Sequence, residues 1–161
     1  MIGSLNTMSY LEPHQWYKKP LVWLKRAQRI SIQEQYEKYN VRAFDIHIYF
    51  VSKNDRTVFK YGSIEYQTFS VYEVLNYLNS QCDCYVRIVL EETLLSDSVE
   101  ELCRRENKFY DYCSKIESLY PDIKFFGGYR AYDYRKIYRF KHECPDNVIF
   151  YKFVDKLKKA K

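Results

Sequence analysis

SIQEQYEKYNVRAFDIHIYF (31–50), FKYGSIEYQTFSVYEVLNYL (59–78) and CYVRIVLEE (84–92) decide the fold of this chain. Ser31 is an N-cap, and Glu34 three residues later completes a capping box. The helix it opens ends near Asn40, a residue that tolerates the left-handed C-terminal position. Val41 to Val51 is a strand by its β-branched and aromatic content. Lys53-Asn54-Asp55-Arg56 is a polar turn, and Thr57 to Tyr61 returns as a second strand. Ser70 and Glu73 repeat the capping pattern, opening a helix with Val71, Val74, Leu75 and Leu78 on one face. Tyr85 to Leu90 is an apolar run interrupted only by Arg87, as expected for a parallel strand covered on both faces.

Outward from this segment, residues 1–10 read as a short strand entering a loop. LEPHQWYKKPLVWLKRAQR (11–29), with Pro13 and Pro20, reads as irregular. Its Leu21, Val22, Trp23 and Leu24 would anchor it to the domain or to a partner. Beyond the segment, Ser98 and Glu101 cap a helix reaching Tyr120, where Pro121 ends it. Ile123 to Phe126 is the next strand, Gly127-Gly128 a turn, and Lys136 to Phe140 and Val148 to Val154 further strands. Lys156 to Lys161 forms a basic, solvated end. Strands alternating with helices predict an α/β fold with a mostly parallel sheet and covering helices. A complete (β/α)₈ barrel takes about 250 residues, so 161 residues predict an incomplete TIM-type barrel, one domain over 1–161. Either the barrel is open, or another chain completes it, and exposed strand edges favour a homodimer.

Apolar residues make up 47% of the chain, too many for disorder, yet no run is long enough to cross a bilayer. MIGSLNTMSYL at the N-terminus lacks the basic and apolar regions of a signal peptide, which sets an intracellular, cytoplasmic expectation. Five cysteines without a secretion signal argue against a disulfide framework. Cys82-Asp83-Cys84 is too tightly spaced for most zinc motifs, and Cys103 and Cys113 fall in a helix as small hydrophobes. There is no Walker loop, dinucleotide fingerprint or nucleophile elbow. Eighteen tyrosines suit strands and half-wet surfaces alike.

The order of these elements resembles the catalytic half of the phosphatidylinositol-specific phospholipase C family, over about residues 1–92 and best over 31–92. In that family a helix reading roughly S-I-x-x-Q-L leads into a strand reading G-[IV]-R-x-x-D-[IL]-R. A His-Gly pair follows, then a helix opening S-[FL]-x-E-V-L and an apolar strand ending in an acid. The resemblance implies cleavage of a phosphodiester by two histidines acting as base and acid, aided by an arginine or Ca²⁺. Here Leu5, within Gly3-Ser4-Leu5-Asn6-Thr7, stands where the first histidine belongs. Tyr61, before Gly62, stands in place of the second, and His47 replaces the arginine of bacterial members. Leucine transfers no proton, and tyrosine titrates near pH 10.

What remains is oxygen. Asn6, Asp45 and Glu91 match three of the Ca²⁺-binding positions that the resemblance implies, and the open alternative is that the two acids only hydrogen-bond at strand ends. His47 alternates with Asp45 and so shares its side of the strand. The pair is the best catalytic candidate if the protein is active, with a structural histidine as the other reading. GGYRAYDYRKIYRFKHE (127–143) interleaves Arg130, Arg135, Lys136 and Arg139 with aromatics, a pattern that can hold a phosphate-bearing ligand; no nucleic-acid signature accompanies it. Two functions follow: a degenerate relative acting in binding or as a structural protein, or a phosphoric diester hydrolase with an altered site, metal-assisted or not.

Overall fold

A computed structural model describes residues 1–51, 56–66, 70–91 and 98–157. Its centre is β2 (Val41–Val51), parallel to β1 (Ile2–Ser4) on one side and to β5 (Tyr85–Leu90) on the other. β7 (Ile149–Tyr151) flanks β1 and β6 (Lys124–Arg130) flanks β5, also in parallel, giving the order β7-β1-β2-β5-β6. Beyond the end of β1, β3 (Arg56–Tyr61) runs antiparallel to the last residues of β2, and β4 (Ile64–Glu65) turns back on it. Among the described residues no pairing joins β6 to β7. The sheet is therefore an open, mostly parallel barrel, and the rings of Phe126 and Phe150 lie 6.4 Å apart between its two edge strands.

The two-residue period of β2 divides the molecule. Phe44, Ile46, Ile48 and Phe50 are fully buried against the helices, with Val86, Ile88 and Leu90 of β5 beside them. The covering helices are α2 (Ile32–Tyr39), α3 (Val71–Asn79) and α4 (Val99–Leu119). α3 buries Val71, Val74, Leu75 and Leu78, and α4 buries Phe109, Tyr112, Cys113 and Ile116 at helical spacing. Asp45, His47 and Arg87 point the other way, onto the concave face.

Ser31 and Ser98 cap as their sequences predict, each hydroxyl accepting the N–H three residues on. Ser70 also precedes a helix, but its side chain makes no cap bond. Asn40 closes α2 in the left-handed region.

Five expectations need correction. The 11–29 segment contains α1 (Lys19–Lys25), with Pro20 in its first turn. Proline there supplies a preset φ and gives up an N–H that had no partner. Gly127-Gly128 is no turn: both residues lie inside β6 at φ 92° and 74°, where its register shifts against β5. A Cβ on Gly127 would stand 2.6 Å from the Ile88 carbonyl, and one on Gly128 2.2 Å from that of Tyr138. Only glycines fit this bulge. The strand expected over 136–140 reduces to a single bridge, Lys136 to Tyr129, and that over 148–154 to the three residues of β7, followed by a 3₁₀ turn. Cys113 packs as expected, whereas Cys103 is exposed; both are free thiols. Most of the predicted turn at 53–56 and the end of the basic tail lie outside the described residues.

The C-terminal strand is held by more than its ladder. Gln28, fully buried, donates through Nε2 to the carbonyls of Leu5 and Tyr151 at 3.0 and 2.8 Å. Its Oε1 accepts the N–H of Val154 at 3.2 Å. No helix among the described residues is long and apolar enough to cross a membrane.

Candidate functional site

Asp45 and Arg87 are register partners on adjacent strands, and Glu91 follows the end of β5. On the concave face these residues form a row of alternating charge. Arg87 Nε donates to Asp45 Oδ1 at 2.8 Å. Asp45 Oδ2 accepts the backbone N–H of Asn6 at 2.9 Å and meets His47 Nε2 at 3.1 Å. The other ring nitrogen, Nδ1, meets Glu91 Oε1 at 2.7 Å, and Glu91 Oε2 accepts the N–H of Gly62 at 3.3 Å. Thr7 Oγ1 accepts the N–H of Asp45, fixing the loop after β1 against β2.

Both nitrogens of His47 thus face carboxylates, and this decides its charge. Burial alone would lower its pKa, but Asp45 and then Glu91 outweigh that and raise it to about 9. At neutral pH His47 is an imidazolium donating in both directions. For Asp45, burial opposes the charged form, yet His47 and Arg87 hold its carboxyl well below the usual range. Arg87 and His47 together balance Asp45 and Glu91, and the floor of the site is close to neutral.

Above this floor is a cavity of about 870 Å³, lined by all four residues of the row. It lies at the C-terminal ends of the parallel strands, where such folds place their ligand sites. Leu5 and Tyr61 line it, the tyrosine edge-on to His47 with ring centroids 5.4 Å apart. The Tyr61 hydroxyl is pushed upward, chiefly by burial and then by Glu91, and stays protonated. Lys25, Arg26 and Lys152 add cations to the walls, and Tyr129, Tyr132 and Tyr134 add ring faces.

The structure therefore brings Asp45, His47 and Glu91 together, with Asn6 behind them. Asn6 reaches Asp45 through its backbone, while its buried side chain is turned to the Tyr66 hydroxyl. As arranged, these donors do not fit Ca²⁺, which takes six to eight oxygens. Three side chains offer too few, and the oxygens of both carboxylates already face His47, Arg87 or backbone N–H groups.

The basic residues of 130–139 separate. Arg130 Nη1 meets Glu106 at 2.6 Å and its other nitrogens meet Asp133. Arg135 pairs with the same Glu106, while Lys136 donates to the carbonyl of Gly127 at 2.6 Å. Lys136 and Arg139 line a second, smaller cavity of about 300 Å³. Of the residues that reading by sequence missed, only Arg87 left a signal, as a charge inside an apolar strand. Lys25, Arg26 and Lys152 left none.

Fold and site together define an open parallel α/β barrel with a polar cavity over its strand ends. No family model matches the chain, and no curated protein matches it. Among solved structures it is similar to the phosphatidylinositol-specific phospholipase C from Listeria monocytogenes, with a TM-score of 0.49 at 16% identity. That likeness covers 81% of this chain and 50% of the bacterial one, so the chain spans about half the length of that enzyme.

Proposed function

We propose that this protein binds a phosphate-bearing headgroup at a lipid surface and does not cleave it. The observation that carries the reading is His47, whose two nitrogens are both committed to carboxylates and whose proton is retained at neutral pH. A general base must be unprotonated and within reach of the proton it takes. Leu5 cannot serve, and Tyr61 titrates above its ordinary range. Binding needs less. Lys25, Arg26 and Lys152 supply positive charge over a neutral floor, and tyrosine faces suit a polyol ring.

The lipid surface follows from α1 and the turn before it. Trp16, Trp23 and Leu24 are 79, 78 and 72% exposed, with Tyr17 and Leu21 also exposed. Lys18, Lys19 and Lys25 lie among them. Aromatic and aliphatic side chains interleaved with lysine are the composition of an interfacial anchor. Leu24 and Lys25 belong both to this patch and to the cavity wall, so an anchored molecule would present its cavity to the headgroups.

The test is sedimentation with phosphatidylcholine vesicles, with and without phosphatidylinositol, alongside release of water-soluble phosphate ester with Ca²⁺ or chelator. The expected result is binding that increases with phosphatidylinositol, falls at least fivefold in Trp16→Ser/Trp23→Ser, and yields no product. Release of product that disappears in Asp45→Ala/Glu91→Ala would instead establish an altered hydrolase. Absence of vesicle binding would refute the lipid reading.

A further inference from the structure

On the helix-covered side of the sheet, away from the first site, a cavity of about 650 Å³ opens between β3, the start of α3 and α4. α4 contributes Lys108, Asp111, Tyr112 and Lys115, a spacing of three, four and seven that places all four on one face. β3 adds Arg56 and Thr57, and α3 adds Ser70, Val71 and Tyr72. Three cations and one carboxylate therefore share the walls.

Its floor is aromatic. The Tyr112 ring meets those of Phe50 and Tyr72 at 5.7 and 5.9 Å. Lys108 Nζ lies 5.2 Å from the centre of Phe50, and Lys115 Nζ 5.6 Å from that of Tyr72. Ring faces thus orient two ammonium groups around one cavity. Two further observations point to an anion. The Val71 and Tyr72 N–H groups open α3 beside this cavity, and the Ser70 side chain does not cap them, its carbonyl accepting instead the Glu73 N–H at 3.0 Å. Tyr112, 7% exposed, has a hydroxyl buried without a partner.

We infer that this cavity is a second ligand site, taking a small phosphate-type anion between Arg56, Lys115 and the N-terminus of α3. It is independent of the headgroup cavity: no residue is shared, and Gly62 and Lys152 line only the first. The anion would complete the first turn of α3 and link it to α4.

The experiment is a titration of the ¹⁵N-labelled full chain with inorganic phosphate at constant ionic strength, following the amides of Val71 and Tyr72. Gly62 reports on the other cavity in the same spectra. The expected result is a saturable shift at Val71 and Tyr72, weakened about tenfold in Arg56→Gln/Lys115→Gln and retained in Lys25→Gln/Lys152→Gln. No saturable shift at these amides would overturn the inference. So would a shift that survives Arg56→Gln/Lys115→Gln unchanged, or one lost in Lys25→Gln/Lys152→Gln. Movement of Gly62 alone would leave the headgroup reading standing and this one refuted.

Discussion

Replacing His47 with Gln tests whether a permanent imidazolium holds the concave face together. The side chain is 12% exposed, between Asp45 at 0% and Glu91 at 7%, so screening by solvent is slight. Folding raises its pKa from 6.5 to about 9. Such a group stabilises the fold fully below its unfolded pKa and loses that contribution as pH rises through its folded pKa. At about 1.4 kcal/mol per pKa unit, the contribution is about 3 kcal/mol at pH 6, about 2.5 kcal/mol at pH 7 and a few tenths at pH 9.5. Glutamine keeps a polar amide near the same place but carries no charge. Urea unfolding of the parent and His47→Gln at pH 6 and pH 9.5 isolates the charge, because every other titrating group is common to both. The stability difference should shrink by about 3 kcal/mol between the two pH values. A difference independent of pH would mean that His47 is neutral in the fold, and the argument against its acting as a base would fail with it.

Two further outcomes follow from local geometry. Ser31→Ala should cost about 1 kcal/mol of stability by loss of its cap bond, whereas Ser70→Ala, which loses none, should cost a few tenths by the same denaturation measurement. Gly128→Ala should destabilise by about 2 kcal/mol or more, since it combines left-handed backbone strain with a Cβ 2.2 Å from a carbonyl. A thermal midpoint unchanged from the parent would show that the bulge in β6 is not rigid.

Much of this architecture was legible because it is periodic. The two-residue period of 41–51 fixes which side chains meet the helices and which face the cavity, and so places Asp45 beside His47 from the sequence alone. Caps at Ser31 and Ser98 are equally local. Where the reading went astray, a distant contact decided the matter. Gly127-Gly128 has the composition of a turn, but its conformation is set by the close approach of β5. Pro20 stands in a segment whose composition reads as irregular, yet it lies in the first turn of α1, where its ring suits a helix. The 136–140 segment has the composition of a strand and only one bridge to pair with. Within the site, the row from Arg87 to Glu91 sits on regular strands and is half visible in sequence. The cations of the mouth come from α1 and from the residue after β7, more than a hundred positions apart, and nothing in either segment announces that they meet.

That separation also orders events at the ribosome. β1 ends at Ser4, and its outer neighbour β7 begins at Ile149. Gln28 cannot satisfy its amide until Tyr151 and Val154 have been made. Strands β2, β5 and β6 can pair as they emerge, but one flank of the sheet waits for β7, which follows all of them. Such a long-range closure is slow and leaves an edge exposed to wrong partners meanwhile. β1 is thus made long before β7 and is among the last strands to gain both of its neighbours.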